Sequence, residues 1–265
     1  MNINIAFKFL RSLPIKLNLF YQHKTKAGIF IMNKSGSKKN FDPVTNIDKS
    51  FEKFIRHLIS KKFSNHSIAG EEYLDKKSSN KFKWYVDPID GTKAFIIGVP
   101  TWSNLIGLTY ENQPLLGLAN FPELKKFYIN DKSKSYLFLD HRKYICKSSN
   151  NSNIKKAKII GNFNGLLNFK EQQGLNKSLN WSLRLGRYDA LSYCLLAQGK
   201  VDAVIETKLK KFDILPIIPI IKNSGAIITN WRGESANLGG NILATSNGKL
   251  HKKILQLLKP YGKRK

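Results

Sequence analysis

The alternation of strand-like and helix-like patterns along the chain predicts a layered α/β protein. Residues 84–86, Trp-Tyr-Val, read as a strand that ends at Asp87 and is followed by an acidic turn. Further on, Lys158–Gly161, 189–198 and 203–206 read as strand, helix and strand, with Gly199 closing the helix. A chain of 265 residues, 42% hydrophobic and 11% aromatic, can bury a substantial core. It is read as one unit with possible subdomains at 1–145 and 146–265.

The other elements follow in order. Residues 3–22 have the apolar spacing of an amphipathic helix, and Pro14 predicts a break near its middle. Residues 36–40 form a polar loop. Over 48–62, Phe51, Phe54, Ile55 and Leu58 recur at helical spacing, which puts Asp48 near a helix start. A short apolar step, Ser67–Gly70, leads into Glu71 and Glu72, and 75–83 is a charged loop. Strands are expected at 105–110 and 114–120, joined by a turn around Asn112. Asp213 is expected to cap a helix that tolerates Pro216 in its first turn and loses an internal bond at Pro219. Strands at 226–229 and 242–245 and a helix at 249–258 follow, before a frayed basic tail at 259–265.

The formal charge of +27 raises the question of nucleic acid. Only seven of the 45 basic residues are arginine, and the lysines are dispersed along the chain. Dispersed lysine is the usual solvated face of a soluble protein, whereas base and phosphate recognition favours arginine forks. No specific nucleic-acid partner is therefore expected, although a positive field still attracts anionic substrates. No apolar run approaches the roughly 20 residues of a membrane span. The two cysteines, Cys146 and Cys194, lack metal-ligand spacing, and the expected setting is a reducing cytoplasm.

The strongest local signal is Asp87-Pro88-Ile89-Asp90-Gly91-Thr92. Its two carboxylates and the Ile89 carbonyl are hard oxygen ligands, and the amides of Gly91 and Thr92 can face an anion. None of the five histidines belongs to the motif, which favours magnesium over zinc. Taken alone, such a turn is equally a capped turn.

Together with Gly70-Glu71-Glu72, residues 43–48 (Pro-Val-Thr-Asn-Ile-Asp) and Lys211-Phe212-Asp213, the motif resembles the inositol monophosphatase superfamily of metal-dependent phosphatases. The resemblance runs in order from about residue 38 to residue 258. It implies an αβαβα sandwich, a homodimer, and hydrolysis of a small phosphate monoester with two or three magnesium ions. It also implies that Glu71, Asp87 and the Ile89 carbonyl hold one ion, and Asp87, Asp90 and Asp213 a second. Asp48 and Thr92 would orient a water, Glu71 would share in catalysis, Gly91 and Thr92 would bind phosphate, and Glu72 would support a third ion. Phe212, Pro216 and Ala226 depart from the family pattern without removing a metal ligand.

Two stretches resemble the histidinol-phosphate branch. Residues 93–102 (Lys-Ala-Phe-Ile-Ile-Gly-Val-Pro-Thr-Trp) differ from the Thr-Asn-Phe usual in the inositol branch. Residues 184–190 (Arg-Leu-Gly-Arg-Tyr-Asp-Ala) are followed by Glu206, seven residues before Asp213. Asp189 and Glu206 would complement a cationic alcohol, with Arg184 beside them as a further substrate residue. Equally, Asp189 caps a helix and Glu206 ends a strand. Lys93 either contacts phosphate or is solvated. The alternatives are an inositol-1-phosphate or sugar-phosphate phosphatase and, outside enzymes, a basic RNA-associated protein.

Overall fold

A computed structural model describes residues 3–34, 42–161, 163, 166–179 and 183–263. The loop expected at 36–40 lies outside the described residues. Helix α1 (Ile3–Lys24) passes through Pro14 without the break that the sequence predicts. Proline removes one internal bond, but Leu10, Leu13, Pro14 and Leu17 all lie on the buried face. Packing on both sides of the proline holds the helix together. An antiparallel pair, β1 (Ile31–Asn33) and β2 (Pro43–Thr45), then leads into α2 (Asn46–Lys62). Thr45 and Asp48 cap this helix reciprocally, so Asp48 is fixed at its first turn.

Next come β3 (Ser67–Gly70), β4 (Phe82–Asp90), α3 (Thr92–Ile97), β5 (Ser103–Tyr110), β6 (Gln113–Phe121), β7 (Lys126–Asn130), β8 (Ser135–Leu139) and β9 (Arg142–Cys146). The strands β3 to β9 form a seven-stranded sheet in chain order, antiparallel except for the β3–β4 pair. The expected turn at Asn112 is made by Glu111 and Asn112, both with φ in the left-handed region. Strands β7 to β9 escaped the sequence reading. In β9, four of five residues are exposed, so this edge strand shows no alternation.

The rest of the chain supplies β10 (Lys158–Gly161), α4 (Phe169–Leu179), β11 (Leu183–Leu185), α5 (Asp189–Ala197), β12 (Ala203–Leu209), α6 (Lys211–Ile214), α7 (Ile217–Asn223), β13 (Ile227–Asn230), β14 (Gly240–Thr245) and α8 (Gly248–Leu258). Its five-stranded sheet has the order β11-β10-β12-β14-β13. Residues 259–261, expected to fray, close in a 3₁₀ turn.

Three cores define the layers. One joins α1 and α2, through Leu10, Leu13, Phe51 and Ile55, to Trp84, Ile106 and Leu118 of the large sheet. A second holds α5 and α7, through Leu196, Ile217 and Ile221, between Leu105 and Tyr128 of the large sheet and Val204 and Ile242 of the small one. The third packs Leu175 of α4 and Leu250 and Ile254 of α8 on the far face of the small sheet. The order is thus αβαβα, as the resemblance implied.

Three expectations at the element ends are corrected. Strand β12 runs through Glu206 to Leu209, so Glu206 does not end it. Strand β4 continues past Asp87 to Asp90. Asp213 is not an N-cap but the third residue of α6, where its carboxylate accepts the Lys210 backbone N–H at 2.7 Å. The chain breaks between α6 and α7 at Pro216. This proline is seated on Gly107 and Gly117, which face each other across β5 and β6. A side chain at Gly117 would begin 1.7 Å from the Pro216 carbonyl oxygen. The paired glycines let α6 dock against the large sheet and bring Asp213 to β4.

Candidate active site

Side chains alternate faces along a strand, so Asp87 and Asp90, three residues apart, belong on opposite faces of a regular β4. The ladder with β5 shifts between them: Asp87 pairs with Leu105 but Asp90 with Ser103, three steps against two. This bulge restores the parity and turns both carboxylates to one side. Asn104 Nδ2 holds the bulge by donating to the Pro88 carbonyl at 2.7 Å, and Asn120 bridges Asn104 to Asn18 of α1. Gly91, at φ +85°, turns the chain into α3.

Around this turn a cleft of about 590 Å³ is lined by Glu71, Asp87, Ile89, Asp90, Gly91, Thr92, Asp189 and Asp213 among others. Burial pushes the Asp87 and Asp90 carboxyls well above the usual range, and neighbouring carboxylates add to it: Glu71, Asp90 and Asp213 for Asp87, and Asp189 and Asp213 for Asp90. Asp213 is pushed up to about 6, chiefly by burial. Asp90 Oδ2 accepts the Ala190 N–H at 2.7 Å, which ties the large-sheet motif to the start of α5. Thr92 Oγ1 stands 3.3 Å from Asp48 Oδ1 and 3.1 Å from the Ile89 carbonyl. Asp48 is buried, and burial raises its carboxyl.

Glu71 and Glu72 follow β3. Lys34 pairs with both, 2.9 Å from Glu71, and Lys210 approaches Glu71 at 3.1 Å. Burial pushes Glu72 up to about 7 against the opposing effect of Lys34. Beneath them lies Glu52, fully buried, which the sequence reading did not single out. It accepts the Glu72 backbone N–H at 2.6 Å and the Arg56 Nε at 2.6 Å, while Arg56 also donates to the Tyr73 carbonyl. The helical spacing of 52 and 56 was the available signal; their link to residues 72 and 73 was not local.

The other end of the cleft is built from the small-sheet half. Glu206 is 1% exposed, and its oxygens and the buried Tyr193 hydroxyl make no hydrogen bond of acceptable geometry. The cation beside it is Arg187, whose Nε lies 3.3 Å from Glu206 Oε1 and 2.7 Å from Asp189 Oδ1. Burial pushes Glu206 up to about 7, opposed by Arg187. Asp189 is the first residue of α5 but does not cap it: the N-cap is Tyr188, no side chain caps the helix, and Asp189 has φ +45°, in the left-handed region. Arg184 does not line the cleft: it is exposed and donates to Asn176 at 3.0 Å. The arginine at the site is Arg187, three positions on in the same motif. Lys93 is exposed at the cleft wall.

The donor set fits hard divalent cations. It is all oxygen and crowded, and burial, with mutual repulsion added, pushes the Asp87 and Asp90 carboxyls up. Among the described residues no three acidic, cysteine or histidine side chains close around one point in coordination geometry. Cys146 and Cys194 are buried free thiols away from the cleft. No helix among the described residues is long and apolar enough to cross a membrane.

A model of the inositol monophosphatase family matches residues 18–263. The histidinol-phosphatase of Chlorobaculum parvum is 27% identical over 91% of this chain and 90% of its own length. The fructose-1,6-bisphosphatase/inositol-1-monophosphatase of Aquifex aeolicus is 29% identical over 83% of each. In fold, the staphylococcal IMPase-I complexed with products superposes over 100% of this chain and 99% of its own, with a TM-score of 0.84 at 18% identity.

Proposed function

Because the chain belongs to the inositol monophosphatase family, whose members are metal-dependent phosphatases, we propose that its substrate is histidinol phosphate, hydrolysed with magnesium to histidinol and phosphate. The observation that carries this reading is the cleft itself. Carboxylates suited to cations lie around the acidic turn, and Asp189, suited to a cationic alcohol, lines the cleft beside Arg187, with Glu206 buried behind that arginine. The likeness to a histidinol-phosphatase supports it.

Glu71, Asp87, Asp90, Asp213 and the Ile89 carbonyl would hold the magnesium ions, with Glu72 next to a third. Bound magnesium supplies charge neutralisation for the phosphate dianion and acidifies the attacking water. The remaining steps fall to the chain. The single Thr92 hydroxyl proton has two acceptors, Asp48 Oδ1 and the Ile89 carbonyl. Donating it to Asp48 leaves Thr92 Oγ1 free to accept from a water and to orient its lone pair at phosphorus. The backbone N–H groups of Gly91 and Thr92 would steady the phosphate. Attack by water forms one P–O bond as the ester P–O bond breaks, and the departing alcohol takes up a proton.

Arg187 favours a second reading. With a guanidinium already against both organic-end carboxylates, a neutral polyol phosphate is accommodated without competition, in keeping with the likeness to the Aquifex enzyme. Phosphate release from histidinol phosphate and from inositol 1-phosphate, repeated with Asp189→Ala, separates the two. We expect a preference for histidinol phosphate that collapses in the variant; equal or reversed preference in the unaltered protein discards that substrate.

A further inference from the structure

We propose that Arg187 determines how strongly this enzyme discriminates between cationic and neutral phosphate esters, by acting as a built-in competitor for the two carboxylates that would receive a substrate cation. The inference rests on the phosphatase reading of the cleft, and on no particular alcohol.

One N–H serves two acids: Arg187 Nε lies 2.7 Å from Asp189 Oδ1 and 3.3 Å from Glu206 Oε1. Asp189 lines the cleft, and Glu206 lies buried behind Arg187. Asp189 Oδ2 lies 2.8 Å from where a side chain on Gly91 would begin, directly behind the phosphate turn. Glu206 is buried against the Tyr193 hydroxyl, which interacts with it without reaching good hydrogen-bond geometry. A buried carboxylate without a well-formed hydrogen bond retains capacity for a donor. Among the described residues, the cation paired with it is Arg187. With both acids ionised, two carboxylates and one guanidinium leave one net negative charge instead of two, and the guanidinium keeps its proton throughout the physiological range.

Arg187 is not locked in place. Its side chain is 42% exposed and lines the cleft, and its contact with Glu206 is an ion pair without hydrogen-bond geometry. A substrate ammonium must therefore share these acids or push the guanidinium toward solvent, and a neutral alcohol need do neither. Specificity is a difference between two affinities, and an internal cation lowers only the cationic one.

The test uses two ester pairs, histidinol phosphate against inositol 1-phosphate and 2-aminoethyl phosphate against glycerol 2-phosphate, with magnesium present. The unaltered protein is compared with Arg187→Gln, Arg187→Met and the charge-keeping Arg187→Lys, each checked for folding by thermal melting. Loss of the guanidinium should raise the cationic-to-neutral ratio of kcat/KM by about tenfold in both pairs, through KM, as one recovered ion contact of ordinary strength does. Arg187→Lys should stay within about twofold of the original ratio. A ratio unchanged in both neutral variants, or kcat/KM falling equally for all esters, would mean that Arg187 only props Asp189, and the proposal fails. If the original protein ignores histidinol phosphate but turns over the second pair, the substrate reading fails while the second pair still reports on Arg187. Should one neutral variant not fold, the other carries the measurement.

Discussion

The two ends of the cleft hold buried negative charge in different ways. At the large-sheet end, Asp87 and Asp90 are met by backbone N–H groups and the Ser103 hydroxyl, and each carboxyl is pushed well up by burial and by its neighbours. At the small-sheet end, Asp189 and Glu206 meet a guanidinium from their own chain. Donors without charge leave Asp87 and Asp90 in need of cations from outside, the ion pairs of Lys34 and Lys210 being made to Glu71 and Glu72. The second end has supplied its own, so a ligand there must compete. One end is thus suited to fixed chemistry and the other to adjustable selection.

The sharpest way to break this contrast is to remove charge from the first end. Asp87→Asn and Asp213→Asn each delete a proposed metal ligand and a source of repulsion, so both proteins should fold, with melting temperatures no lower than the original. Phosphate release should fall by at least about a hundredfold, since charge stabilisation of the reacting phosphate is the largest contribution such a site makes. Near-normal turnover in either variant would show that the buried acids do not serve catalysis.

Next in size is the support beneath Glu71 and Glu72. Glu52→Ala leaves Arg56 without its buried partner and the Glu72 N–H without its acceptor. Breaking a buried pair from one side costs about 3–5 kcal/mol, to be read from denaturant unfolding, and hydrolysis should fall with it. A stable variant of full activity would mean that the 70–73 segment holds itself.

What was legible in the sequence follows the same division. The Asp87–Thr92 motif is contiguous, so its residue types announced the chemistry, and the layering followed from apolar periodicity in the longer elements. The parity problem at Asp87 and Asp90 was invisible, because a bulge is defined by the partner strand. Arg187 stood in a motif already singled out, yet the residue types do not say whether the arginine of β11 or the one in the loop after it reaches the cleft, and Arg184 was chosen. Glu52 and Asn104 were missed because their partners, Glu72 and the Pro88 carbonyl, lie 20 and 16 residues away. Pro14 misled because local propensity gives one lost bond full weight and cannot see the core on both sides of it.

A smaller effect tests how the two halves are joined. Gly117→Ala would set a methyl group 1.7 Å from the Pro216 carbonyl oxygen, whereas the nearest atom to a methyl at Gly107 is the Pro216 Cα at 2.9 Å. Overpacking of this kind costs about 1–3 kcal/mol, with Gly117 the worse of the two. Because α6 rides on this contact, the Gly117 variant should also bind magnesium more weakly, as measured by titration calorimetry. Equal stability and metal affinity in the two variants would detach Asp213 from the seat of Pro216.

The smallest effect is a pH dependence, and its coupling to magnesium separates the two ends again. Glu72 and Glu206 are pushed up to about 7 and Asp213 to about 6, in each case mainly by burial. In the unfolded chain these groups titrate near 4, as exposed carboxyls do. Between about pH 4 and pH 7 the folded protein therefore binds more protons than the unfolded chain, so this contribution to stability is complete at the acid end and fades as pH rises through the folded values. With chelator present, the melting temperature should be higher near about pH 6 than near about pH 8, since protons relieve the crowded acids. Magnesium competes with those protons, so the stabilisation it adds should be larger near about pH 8 than near about pH 6. Asp213→Asn should shrink that difference, whereas Arg187→Lys should leave it unchanged, because the small-sheet end carries its own cation at both pH values. A magnesium-induced shift independent of pH in the unaltered protein would mean that protons and metal do not share these carboxylates.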